Sequence, residues 1–294
     1  MSDDPTNKIR LAPTNTARIA MLFIATGMKS IGKTHRTKQE IQSYIRDDPT
    51  TGRRGRPVLV VDVNNEYQEY HTVFFDVQDK DIYKQGGAIR DIVQPIPRRI
   101  IPYKRDMTPM TPDELKVTAS VVANNFRGGL VVMEDLNKIM VNTKKIDFIG
   151  MIIGLRHVGV DLMIHFQSIS KITPDLWENV NIIRFHKQAD PIDRLKTRGF
   201  NFELLKIAEL IVNRQYESGN IRYFCWVHVM DNRITNISTE DFYYACEQLI
   251  AMDDKPIKQM LRQTDINSGK KKYASYQEAA KAWIDQKKYY IRTS

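Results

Sequence analysis

Cysteine is almost absent from this chain of 294 residues. Its two examples, Cys225 and Cys246, each lie inside an apolar or aromatic segment. Two isolated thiols cannot build a disulfide framework, and no zinc-type spacing of Cys and His occurs; the expectation is a pair of buried free thiols in a reducing cytoplasm. Long hydrophobic runs are missing too. Runs such as IAMLFIA (19–25) and GLVVM (129–133) are strand-sized and far short of the roughly 20 residues that span a bilayer. The start, MSDDPTNKIRLAPTNTARIA, lacks the basic-then-apolar order of a secretory signal. There is no internal repeat. What remains is an ordinary globular composition, 42% hydrophobic and 27% charged, long enough for one large domain or two small ones.

Charge is the one imbalance. A net charge of +9 favours a polyanionic partner. The basic residues cluster at Arg53, Arg54 and Arg56 in TTGRRGRP, at Arg98 and Arg99 in PIPRRIIPYKR, and at Lys270 to Lys272 in SGKKKY. The two arginine clusters are candidates for a nucleic-acid face, the alternative being solvated loops.

Apolar strand-like runs alternate with helix-like ones. RIAMLFIAT, VLVVDV (58–63), HTVFFDV (71–77), GLVVMED, VDLMIHFQS and NIIRFHK read as strands. KTHRTKQEIQSYIRD, TPDELKVTASVVANNF, KIDFIGMIIGLRHVG and residues 202–214 read as helices, Thr-Pro-Asp-Glu marking one N-terminus. RYFCWVHVM and RITNIS suggest a hairpin before a helix at 239–251, and the proline-rich stretch 79–112 reads as irregular or an insertion. Short apolar strands without strict alternation indicate a mostly parallel sheet covered on both faces. The expected organisation is an arm at 1–16, one α/β domain at 17–251, and a basic linker with a helical tail at 252–294.

Gly27-Met28-Lys29-Ser30-Ile31-Gly32-Lys33-Thr34 matches G-x-x-x-x-G-K-[ST] in full, with a buried strand before it and a helix after. Glycines let backbone N–H groups curl around phosphate oxygens, and the helix N-terminus adds its positive dipole end. Lys33 then reaches the β- and γ-phosphates of ATP, Thr34 offers a hydroxyl to Mg²⁺, and the loop with His35 forms the nucleotide-binding stretch. A metal-side acid must follow on a neighbouring strand, and GGLVVMED provides Glu134 and Asp135. Their order is inverted relative to the usual Asp-Glu: Glu134 stands at the Mg²⁺ position and Asp135 at that of the base. His157, His165 and His186 lack metal spacing and read as structural.

The third element, VLVVDVNNEYQEY, places Asp62, Glu66 and Tyr67 after a strand. It is similar to the run after the second strand of HerA/FtsK-type DNA-pumping ATPases. The stretch IIGLRHVGVDLMIHFQSISKITPDLWENVNIIRFH also resembles that family's segment after its acidic strand, with Gln167 at the polar sensor position. The resemblance spans roughly residues 18–190. Its departures are the Glu-Asp order, His165-Phe166 where a Thr is common, and Lys29 inside the loop. It implies an additional-strand P-loop NTPase fold, a three-layer sandwich of the RecA/HerA-FtsK type. It further implies a hexameric or pentameric homo-oligomeric ring, ATP hydrolysis coupled to movement of double-stranded DNA, and a neighbour's arginine at the site, Arg156 first and Arg184 second. By analogy the function is genome packaging or DNA transfer in a virus or mobile element, in host cytoplasm or virion, with a portal, capsid or membrane-anchor protein as docking partner. The alternatives are an ATP-binding, nucleic-acid-associated scaffold with weak or no hydrolysis, and a small-molecule phosphotransferase.

Overall fold

The structure is a computed structural model, and it describes residues 19–74, 87–135, 150, 153–195, 201–266 and 268–291. The strands are β1 (Leu22–Thr26), β2 (Val58–Val61), β3 (His71–Thr72), β4 (Pro97–Ile100), β5 (Leu130–Met133), β6 (Asp161–Phe166), β7 (Ile182–His186), β8 (Phe224–His228) and β9 (Arg233–Thr235). The helices are α1 (Lys33–Tyr44), α2 (Pro112–Asn125), α3 (Pro174–Asn179), α4 (Phe202–Glu217), α5 (Thr239–Met252), α6 (Lys255–Met260) and α7 (Tyr276–Lys287).

Among the described residues one sheet of nine strands runs in the order β3-β4-β2-β5-β6-β1-β7-β8-β9. It is parallel from β3 to β7, and β8 and β9 pair antiparallel at one edge. The acidic strand β5 is not the neighbour of the loop strand β1, because β6 lies between them. This inserted strand is the additional-strand arrangement, so the fold class expected above is the one observed.

Alternate residues of each strand face opposite sides, and here both sides are dry. In β2, Leu59 and Val61 join the main core while Val58 and Val60 join a second cluster with Ile41 of α1. In β5, Val131 and Met133 divide from Leu130 and Val132 in the same way. The main core takes α2, α4, α5 and α7, so helices cover both faces. Helix starts follow local chemistry. Thr111 and Glu114 form a capping box around Pro112 in α2, and Asn201, Ser238 and Ser275 accept from first-turn amides of α4, α5 and α7.

Several sequence expectations change. Only His71 and Thr72 of HTVFFDV form a strand, and positions 75–77 lie outside the described residues. The stretch 79–112 contains β4, an internal strand, so it is not all irregular. Of the helix read at 145–159, Leu155–Val158 form a 3₁₀ turn and most earlier residues lie outside the described set. The stretch 252–275 contains α6. Ile257, Met260, Tyr273, Trp283 and Tyr290 all pack into the main core, so the C-terminal segment is built onto the sheet rather than tethered to it.

The basic clusters also land in unexpected places. Arg99, in β4, is buried and pairs with Asp62 at 3.0 Å. Arg98 beside it is half-buried. Arg53 donates to the carbonyls of Ser43 and Tyr44. Arg56 donates to those of Gly128 and Gly159 and pairs with Asp161 at 3.3 Å. These contacts lie before β2, β5 and β6, at the amino edge of the sheet, where the guanidinium groups satisfy otherwise orphaned carbonyls. Of the basic residues in both stretches, 53–56 and 98–105, Arg54 and Arg105 are exposed. A DNA face built on Arg53, Arg56 and Arg99 does not fit these positions.

Candidate active site

The parallel strands end together at Thr26, Val61, Met133, Phe166 and His186, and open α/β sheets hold ligands in the crevice beyond that edge. A cleft of about 590 Å³ lies there.

The chain leaves β1 and turns at Gly27, where a side chain would meet Ile31 Cδ1 at 2.5 Å and His186 Cβ at 2.7 Å, so only glycine fits. The Gly27 amide donates to Phe166 O at 3.2 Å and the Met28 amide to Lys187 O at 2.8 Å. These two bonds tie the loop's base to β6 and to the end of β7. Ile31 is buried and anchors the loop. The rest of it, Lys29, Ser30, Gly32, Lys33, Thr34 and His35, lines the cleft, where the first amides of α1 have no helical acceptor. Ser30 at φ 64° and Gly32 at φ 86° curl the chain into this nest. Lys33 Nζ donates to the carbonyls of Gly27 and Met28 at 2.8 and 2.7 Å and sits over the loop mouth. Burial lowers its pKa, opposed by the charges of Glu134 and Glu66.

The loop after β2 folds around Asp62. Its carboxylate accepts from the amides of Glu66 (2.8 Å) and Tyr67 (3.0 Å) while Arg99 neutralises it. Asp62 is therefore a scaffold for the three residues that follow. Asn64 Nδ2 donates to Glu134 Oε2 at 3.0 Å and the Tyr67 hydroxyl to Glu134 Oε1 at 2.9 Å. Glu66 accepts from the Thr34 hydroxyl. Thr34 Oγ1 is also 3.3 Å from Glu134 Oε1, so one hydroxyl and two carboxylates meet at the head of α1.

Glu134 is buried and anchored further from β6, where His165 Nδ1 lies 3.0 Å from Oε1. The other His165 nitrogen, Nε2, lies 2.9 Å from Thr37 Oγ1, which also accepts from Arg184 NH2 at 2.6 Å. Nδ1 carries a proton toward Glu134. Burial would raise the Glu134 pKa, but the hydrogen bond and charge of His165, with Asn64 and Tyr67, outweigh it and hold the carboxyl at about 2. His186 shifts in the same direction for a different reason: burial, then the charges of Arg184 and Lys33, hold its imidazole neutral with a pKa of about 2.

Both shifts make the fold acid-labile. Each group's folded pKa lies below its ordinary value, so its contribution is full above that value and lost as pH falls. For His186 the loss starts below 6.5 and for Glu134 below 4.5, both running toward 2. Acid unfolding followed by circular dichroism should show stability declining from about pH 6.5. Glu134→Gln should flatten the profile only below about pH 4.5.

Asp135 follows at φ 43°, a left-handed backbone that turns its carboxylate toward Gln167, whose Nε2 donates to it at 2.8 Å. Both line the cleft. The two arginines expected to act from a neighbouring subunit lie away from this chain's own cleft, each bonded within the chain. Arg156 precedes β6 at the amino edge, donating to Ala20 O at 3.0 Å and Asn179 O at 2.9 Å. Arg184 is fully buried beneath α1, bonded to Glu40, Thr37 and Lys33 O. The sequence motifs miss the contacts made by Asn64 and His165 and by Arg222, which also lines the cleft.

Among the described residues no three His, Cys, Asp or Glu side chains form a metal cage. Mg²⁺ does not require one: it binds through one or two carboxylates with water and phosphate oxygens. The hard oxygens of Thr34 and Glu134, with Glu66 adjacent, fit that pattern.

No protein-family model matches the chain, and no curated protein does. Among solved structures it is similar to the genome packaging NTPase B204 of Sulfolobus turreted icosahedral virus 2 in complex with AMP (13% identity, 74% of this chain, 96% of that one, TM-score 0.43). It is also similar to the N-terminal domain of zonular occludens toxin from Neisseria meningitidis (14%, 57% and 76%, TM-score 0.33). A third is the type III secretion ATPase EscN of enteropathogenic E. coli (11%, 94% and 63%, TM-score 0.34). Among the described residues no helix is long and apolar enough to cross a membrane.

Proposed function

We propose that this chain is an ATPase that moves double-stranded DNA. The observation that carries the ATPase reading is the meeting of the Thr34 hydroxyl with Glu134 and Glu66 at the phosphate loop, beside the Asp135–Gln167 pair. Lys33 and the loop amides bind and orient the β- and γ-phosphates. Thr34 and Glu134 hold Mg²⁺, which when bound neutralises phosphate charge. Asp135 orients the attacking water and takes its proton, and Gln167 holds Asp135 in place. A group that replaced Gln167's bond to Asp135 would release the glutamine, which gives the site a sensor for its own occupancy.

The DNA half of the proposal is supported by the resemblance of Asp62–Tyr67 and Gln167 to HerA/FtsK-type motors and by the positive charge of the chain. The proposed assembly is a ring, in packaging or transfer. A triplex-displacement assay tests it: ATP should drive release of a third strand from duplex DNA, and a chain that hydrolyses ATP without displacement is not a translocase.

A further inference from the structure

A basic residue absent from every motif stands over the phosphate loop. Strand β8 runs antiparallel to β7, with Phe224 opposite His186, so it begins at the edge where the parallel strands end. Arg222, two residues before β8, is thereby carried to the mouth of the cleft. The turn that delivers it is built by Gly219 at φ 95° and by the Tyr223 amide donating to Asn220 O at 3.1 Å. Its stem lies on the loop itself: a Cβ at Gly32 would meet Arg222 Cγ at 3.3 Å and Cδ at 3.4 Å. Gly32 is thus favoured by its backbone angle, and the arginine stem packs closely against it.

Three neighbouring cations outside the loop are already engaged. Arg36 pairs with Glu40 and lies over the Phe224 ring, Arg184 pairs with Glu40, and Lys187 donates to Asn213. Arg222 has no hydrogen bond or ion pair among the described residues, and it is exposed. A guanidinium free of protein partners, held against a nest of amides, suits two phosphate oxygens at once.

We propose that Arg222 is a nucleotide-phosphate contact acting in cis, closing the cleft from the antiparallel edge of the sheet. This rests on reading residues 27–34 as a nucleotide site. It gives the reaction a positive charge from the same chain, where Arg156 and Arg184 are both committed elsewhere.

Isothermal titration with ATPγS, inorganic tripolyphosphate and adenosine tests it on wild-type protein, Arg222→Ala and Arg222→Lys. Arg222→Ala should weaken ATPγS and tripolyphosphate by the same factor, about 10- to 100-fold, with an unchanged melting temperature, since the residue is exposed. Arg222→Lys should recover part of the loss, because an ammonium carries the charge but not the fork. Adenosine binding should not change. Unaltered tripolyphosphate affinity in Arg222→Ala would overturn the proposal, and loss for ATPγS alone would make Arg222 a base contact. Wild-type protein binding neither phosphate compound would instead overturn the nucleotide site on which the inference rests.

Discussion

Lys33→Ala should lower ATP turnover by about a hundredfold to a thousandfold, the scale of losing a preorganised charge donor at a reacting oxygen. The ammonium is held at the loop mouth by the Gly27 and Met28 carbonyls. Neither acceptor carries a full charge, so transfer of the lysine to phosphate exchanges weak bonds for charge-assisted ones. Helix α1 should be unaffected. Its first amides are untouched, Gly32 still caps it, and alanine is the best helix former. Melting temperature should therefore stay close to wild type while turnover collapses, as followed by phosphate release and calorimetry. Turnover near wild type in Lys33→Ala would mean that the loop does not hold the reacting phosphate.

The second large effect separates the two adjacent acids. In Glu134→Gln an amide NH₂ replaces one carboxylate oxygen, in a site where Asn64, Tyr67, Thr34 and His165 all approach the carboxylate. At least one donor then faces another, at about 1–3 kcal/mol for each buried group left unsatisfied. Glu134→Gln should thus lose both turnover and stability. Asp135→Asn differs. Its one hydrogen bond among the described residues, from Gln167, survives on the amide oxygen, and asparagine is well suited to the left-handed φ of 43°. Stability should hold while turnover falls about a hundredfold or more, as expected for removing the base. A single-turnover assay with parallel melting curves distinguishes the two. If Asp135→Asn turned over ATP at the wild-type rate, Glu66 would be the next carboxylate to test, because it too lines the cleft.

What the sequence disclosed followed the distance between cooperating residues. The phosphate loop was legible because its glycines, Lys33 and Thr34 are contiguous and flanked by a strand and a helix. The β5 acids were legible for the same reason. Asp62–Tyr67 could be recognised as an element, yet not the part each residue plays. Tyr67 meets Glu134 across 67 positions and Arg99 reaches Asp62 across 37. Arginines inside short strands read as surface charge, because nothing local shows that Glu40 awaits Arg184 or Asp62 awaits Arg99. In IIRFH the apolar Ile183 and Phe185 face the main core while Arg184 lies beneath α1, an alternation hidden by the strand's brevity. The C-terminal segment misled for the opposite reason. Its lysines gave it the look of a linker, while sparse apolar residues such as Ile257 and Trp283 do the packing. Arg222 belongs to no motif at all, and only the antiparallel pairing of β7 with β8 brings it to the loop.

Steady-state phosphate release with ATP and Mg²⁺, measured with and without duplex DNA, tests the account most directly. The account predicts turnover by the wild-type chain that duplex DNA stimulates and that Lys33→Ala lowers by about a hundredfold or more. Tight nucleotide binding without turnover under either condition would contradict it, and would leave an ATP-binding scaffold in place of a motor.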